Sequence, residues 1–157
     1  MFREMRRFKQ EVSREECVKI LTGEKRAVLA VNGDDGYPYA VPINFYYDSE
    51  NDRIYFHCAK AGHKLDAMTR DDRVCFTVYN TGYQKDDWSY YVTSVIVFGR
   101  ARIMTDEAEI RDKIRKFGLK YYPTETEVDE EIKRDFDRVN LVEITIEHMT
   151  GKLVHEK

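Results

Sequence analysis

Residues 54–68 read IYFHCAKAGHKLDAM and gather much of the chain's chemical capacity: His57, Cys58, Lys60, His63 and Lys64. A strand-like apolar run breaks at a turn containing Gly62 and passes at once into a helical pattern. Backbone amides at a helix start lack intrahelical partners, and the positive end of the helix dipole favours an anion there. Lys64 falls in the first helical turn, where a cation is unfavourable unless a negative group offsets it. A phosphate would do so. The G-x-x-x-x-G-K-[ST] spacing of a P-loop is absent, and Leu65 stands where its hydroxyl would be. A plain strand-to-helix turn with surface lysines accounts for the same residues equally well.

Other chemistries fit these side chains less well. Alternation along the strand puts Ile54, Phe56 and Cys58 on one face and Tyr55 and His57 on the other. That separates a Cys58 thiol from a His57 base. His57 and His63 lack a third ligand at metal-site spacing, since His148 and His155 lie far along the chain, so no metal is expected. A serine hydrolase would need a G-x-S-x-G elbow, which is missing. Any reaction therefore draws its chemistry from a bound cofactor. A flat, phosphorylated one suits an anion-accepting turn in a chain with eleven Tyr and eight Phe, although most of those rings are expected in the core.

The elements that must position this turn are mostly strands. Ser13 and Glu16 form a capping box before a short helix whose apolar side carries Val18, Ile20 and Leu21. RAVLAV (26–31) is a strand, NGDDG a hairpin turn, and YPYAVPINFYYD (37–48) a second strand. Pro38 and Pro42 cannot donate to a ladder, which makes this an edge or bulged strand. DSEND is another turn, RIYFHCA a third strand, HKLDAMTR a short helix, and RVCFTVYN a fourth strand. After a loop, SYYVTSVIVFGRARIM forms a long fifth strand with Gly99 as a bend or bulge. Asp106 and Glu109 cap a helix carrying Ile110, Ile114, Phe117 and Tyr121 at helical spacing, closed by Pro123. A shorter helix is expected around Val128 to Phe136. In the last strand, Val142, Ile144 and Ile146 point inward and Glu143, Thr145 and Glu147 outward.

The first connections are too short for parallel crossovers, so the sheet is expected to be antiparallel. The expected fold is mainly β with peripheral helices: six strands in a small closed or partly closed barrel. Residues 1–157 are expected to form a single domain, with an arm over 1–12 and a helical insertion over 106–137 between strands five and six.

Composition removes several function classes. A net charge of −3 rules out a general nucleic-acid footprint. The basic arm with Arg3, Arg6, Arg7 and Lys9 is expected to be solvated or docked, and QEVSREECVKI after it is no signal-peptide core. Cys17, Cys58 and Cys75 are odd in number and lack C-x-x-C spacing, which points to a reduced, cytoplasmic protein rather than a disulfide framework. No apolar run reaches the ~18 residues of a membrane span.

In order and spacing, YPYAVPINFYYD, IYFHCAKAGHKLD, RVCFTV and YYVTSVIVFGRARI resemble the FMN-binding split-barrel proteins. The nearest likeness is to the pyridoxamine 5'-phosphate oxidase-like group that includes the nitroimidazole resistance (Nim-type) proteins. It covers residues 5 to about 150. The resemblance implies a six-stranded split barrel of Greek-key type, paired as a homodimer with FMN at the subunit interface; FAD, haem or a deazaflavin are the alternatives among relatives. By position, Val41, Pro42, Ile43 and Asn44 would face the isoalloxazine. Lys64, His63 and the turn from Ala59 would hold the phosphate. His57 and Cys58 would lie along the ribityl and ring side, and Ser94 and Val95 near the flavin from either chain. Trp88 and Tyr90 would close the pocket. HMTGKLVHEK (148–157) does not match the Arg- and His-bearing segment that holds the oxidase's substrate phosphate, so pyridoxamine phosphate is not the implied substrate. What is implied is a nitroreductase-like oxidoreductase for small electron-poor aromatics, with His57 as proton or hydrogen-bond donor. The alternative is a non-catalytic flavin- or haem-binding protein for storage, sensing or redox buffering.

Overall fold

The Ser13 cap forms as its sequence requires, the Oγ accepting the Glu16 amide at 3.3 Å at the head of helix α1 (Arg14–Gly23). In the computed structural model, which describes residues 1–156, α1 follows a two-residue strand β1 (Glu11–Val12). Next come β2 (Arg26–Asn32), β3 (Pro38–Asn44), β4 (Tyr46–Asp48), β5 (Arg53–Ala59), α2 (His63–Arg70), β6 (Arg73–Tyr79) and β7 (Tyr90–Ile103). The insertion helices α3 (Glu107–Tyr121) and α4 (Glu125–Asp135) precede the last strand, β8 (Val139–Glu156).

The strands are hydrogen-bonded in the order β3-β2-β6-β7-β8-β5-β4, all antiparallel, with β1 paired to β8. The two ends of this path, β3 and β4, are joined through Phe45 alone. One continuous segment therefore pairs with β2 by its first half and with β5 by its second, curling the sheet into a split barrel. All six expected strands are present. The second is divided at Phe45, and β1 is an addition. Both prolines lie on β3, at the end of the path, as their missing amides demand.

Inside, Leu29, Ile54, Phe56, Phe76, Val78, Val95, Val97, Val142 and Ile144 are fully buried. The bulge expected at Gly99 is real: Phe98 pairs with His148 but Gly99 with Ile146, leaving Glu147 as the extra residue on β8. Before it, Val142 and Ile144 face the core; after it, Met149 and Gly151 do. Glu143 points outside the barrel as expected yet is not exposed. It lies under α3 and accepts from the Tyr55 hydroxyl at 2.9 Å and from Arg102 Nε at 2.8 Å. Helix α4 starts earlier than expected because Thr124, not a residue near Val128, caps it.

Helix α3 is fastened across the break in the second strand. The Tyr121 hydroxyl accepts the Phe45 N–H at 2.9 Å and lies 2.7 and 2.8 Å from the carbonyls of Phe45 and Lys25, donating its one proton to either. The Lys120 ammonium sits 4.0 Å over the Phe45 ring and donates to the Glu24 carbonyl at the end of α1. Farther up α3, Lys113 pairs with the buried Asp48 at 2.8 Å. Tyr121→Phe orphans the Phe45 amide, so the variant is expected to lose about 1.5 kcal/mol in a urea unfolding titration. An unchanged midpoint would show that the hydroxyl does not hold the break.

Candidate functional site

The turn at 59–63 is built as the sequence suggests. Gly62 caps α2 with φ of 139°, a conformation that L side chains rarely adopt, and a Cβ there would meet nothing within 4 Å. The amides of Leu65 and Asp66 are spent on the Gly62 carbonyl, at 3.0 and 3.1 Å. Those of His63 and Lys64, at the head of the helix, have no intrahelical acceptor. Lys64 is half-buried and has no ion-pair partner among the described residues. Its charge is felt by His57 and Cys58.

His63 anchors this end to the β2–β3 hairpin. Its ring stacks on Tyr39 with centroids 4.2 Å apart, and its Nε2 lies 3.5 Å from Asp34, which also takes Arg70 at 2.7 Å. From Tyr39 the open edge of β3 runs to Asn44, about 17 Å at the rise of a strand. Val41 and Ile43 turn their side chains into the barrel, while Pro42 and Asn44 face out.

At the Asn44 end lies a chamber of about 290 Å³ between the barrel and the two insertion helices. His57 and Asn44 form its floor; Phe117, Tyr121, Ile132 and Phe136 are among its walls. The His57 ring meets the Phe117 ring edge-on, centroids 5.2 Å apart. Its outer edge reaches solvent, but the surrounding protein lowers the imidazole pKa by desolvation; the Glu131 carboxylate opposes this and Lys64 adds to it. At neutral pH the ring is therefore uncharged and carries one N–H donor.

The expected site residues divide into two groups. Val41, Pro42, Ile43, Asn44, His57, Ala59, His63 and Lys64 fall along one path from α2 to the chamber. Cys58 and Val95 point into the core, at 6% and 0% exposure, so only their backbones are offered outside, and burial raises the Cys58 thiol pKa. Ser94 faces out on a different part of the sheet, opposite Lys152 and beneath the arm residues Arg3 and Met5. It is not brought to the path within one chain. Trp88 and Tyr90 stand exposed at the start of β7, away from the chamber. The walls from α3 and α4 were not anticipated as site residues; their signal was an aromatic stripe at helical spacing, which packing alone explains. Among the described residues, no cluster of His, Cys, Asp or Glu could hold a metal, and no helix is long and apolar enough to cross a membrane.

A curled antiparallel split barrel with a glycine-capped helix start on its rim matches a known class of proteins. The chain belongs to the pyridoxamine 5'-phosphate oxidase family, whose profile matches residues 13–153. Among solved structures it is similar to a candidate 5-nitroimidazole antibiotic resistance protein from Bacteroides thetaiotaomicron, with 21% identity over 93% of this chain and 87% of that one, and a TM-score of 0.78. A FAD-binding protein from Mesorhizobium loti has 23% identity, coverage of 92% and 96%, and a TM-score of 0.67. A flavocytochrome from Azotobacter vinelandii has 21% identity, coverage of 96% and 72%, and a TM-score of 0.76. At these identities the likeness is one of fold. No curated protein sequence matches this chain.

Proposed function

We propose that this protein binds FMN along the open edge of β3 and acts as an oxidoreductase on small electron-poor aromatics of the nitroimidazole type. The observation carrying the reading is one path with two chemically different ends: unpaired amides and Lys64 at one, a His57-floored aromatic chamber at the other. Its span of about 17 Å is of the order of an extended flavin mononucleotide. Bound flavin, once reduced, would supply two electrons together, bypassing the nitro radical anion. Lys64 and the amides of His63 and Lys64 would neutralise the phosphate. The outward groups of Pro42 and Asn44 would border the ring system, and the His57 N–H would stabilise negative charge developing on the acceptor.

The deciding experiment is anaerobic photoreduction of the flavin-loaded protein followed by addition of a nitroimidazole. Reoxidation much faster than without the compound is expected. An unchanged rate would remove the reductase reading and leave a flavin carrier. Names among the structural neighbours, FAD-binding protein and flavocytochrome, favour that carrier as the second reading, with FAD or haem in place of FMN. Colour separates these: a two-banded flavin spectrum is expected, and a single sharp Soret band would mean haem.

We further propose a homodimer. Ile96 and Phe98 on the outer face of β7 are 38% and 40% exposed, and Phe2 stacks on Phe98 and His148 beside them. A second copy over this face would cover apolar surface and offer Ser94 a route to a shared site. Sedimentation at twice the chain mass is expected; a monomer at micromolar concentration would refute the pairing.

A further inference from the structure

The geometry points to the chamber under α3 and α4 as a binding site for an uncharged, single-ring aromatic compound bearing a hydrogen-bond acceptor, with Ile132 and Val139 setting which ring is admitted. The inference extends the reading above by naming where a substrate would bind and of what class, and the binding itself does not depend on flavin.

Size sets the first limit. A cavity of about 150 Å³ lined by aliphatic and aromatic side chains holds benzene. At about 290 Å³ this chamber has room for one substituted ring, but not for three fused rings with a phosphorylated chain. It is therefore distinct from any space a flavin would fill, although Asn44 belongs to the borders of both.

Charge sets the second limit. Glu131 and Asp135 line the chamber, yet neither is a free anion. Glu131 pairs with Arg134, and Asp135 takes Arg134 at 2.8 Å and Arg138 at 3.0 Å. With the carboxylates answered from α4 and the turn after it, a cationic ligand would have to compete with Arg134 and Arg138 for them. An anionic one would lose its hydration against Ile114, Ile132 and Val139.

Polar groups set the third. Neither the His57 imidazole nor the Asn44 side chain has a hydrogen-bond partner among the described residues. Both sit on the barrel floor, opposite the apolar walls, and each supplies an N–H donor. A ring entering between the helices would bury its apolar body and present an acceptor to these donors, the usual economy of a small-molecule site. The walls are held in place. A Cβ on Gly118 would come within 2.7 Å of Val128, so α3 and α4 touch there without a spacer, and the Arg111 guanidinium stacks 3.9 Å over Phe136.

The test uses 4-fluoroacetophenone, a neutral single-ring ketone, followed by 19F NMR on the protein as purified. Saturable binding is expected, with nuclear Overhauser contacts from the ring protons to the Val128, Ile132 and Val139 methyl groups; benzylamine, the cationic counterpart, should bind at least tenfold more weakly. Filling the chamber with Ile132→Phe, or separately Val139→Phe, should weaken the ketone at least tenfold. No saturation in the wild-type protein, contacts to other methyl groups, or equal binding of the amine would each overturn the inference. A flavin titration on the same sample reads the cofactor proposal separately, so either can fail while the other stands.

Discussion

His57→Ala is expected to retain bound flavin and to slow electron transfer to a nitroimidazole by 10²-fold or more, the scale of a positioned acid–base group. The side chain lies on the chamber floor rather than at the turn before α2, so its removal leaves Lys64 and the α2 amides untouched. It also sets the sign of the pH dependence. Because burial depresses the imidazole pKa, the ring is neutral at pH 7 and gains its proton only below the ordinary histidine range. If the protonated ring is the better donor, the wild-type rate should rise as pH falls through that depressed value, and the alanine variant should lose this limb. Stopped-flow reoxidation of the photoreduced protein between pH 5 and 8 measures both. Equal rates in the two proteins would remove His57 from the chemistry.

Lys64→Ala should act on the cofactor instead. A charge-assisted hydrogen bond is worth about 1.5–3 kcal/mol, so FMN affinity should fall by roughly 10- to 150-fold in a fluorescence titration. Riboflavin, which lacks the phosphate, should bind wild type and variant alike. That comparison separates a phosphate contact from general damage to the turn. Equal losses for both ligands, or none for either, would mean that the phosphate is held elsewhere.

What the sequence revealed follows from how local each feature is. The caps of α1 and α3, the extent of α2, the hairpin at Asp34 and the edge position of β3 are written in neighbouring residues, and all were legible. Strand alternation alone assigned His57 and Cys58 to opposite faces. The division at Phe45 was hidden because alternation runs unbroken through YPYAVPINFYYD; what marks the break is the Tyr121 hydroxyl, 76 positions away. The start of α4 was written locally as well, in the T-x-x-E spacing of Thr124 and Glu127, but the apolar pattern that drew attention begins only at Val128. Glu143 looked like an exposed residue because its period matches the outside of the barrel, and only α3 covering that outside makes it buried. The chamber could not be read at all, since its floor and walls come from segments whose hydrophobic patterns are each satisfied by packing.

The extra residue Glu147 works as a phase shift in β8. Upstream of it even-numbered residues meet the interior, and downstream the odd-numbered ones do. Deleting Glu147 would therefore straighten the strand without turning it over: His148 would still oppose Phe98, and Met149 and Gly151 would keep their inward aim. A residue lost elsewhere in β8, with the bulge kept, would instead flip everything beyond it like a slipped zipper. Along β8 this is thus the one place where the loss of a single residue leaves both faces of the strand as they were.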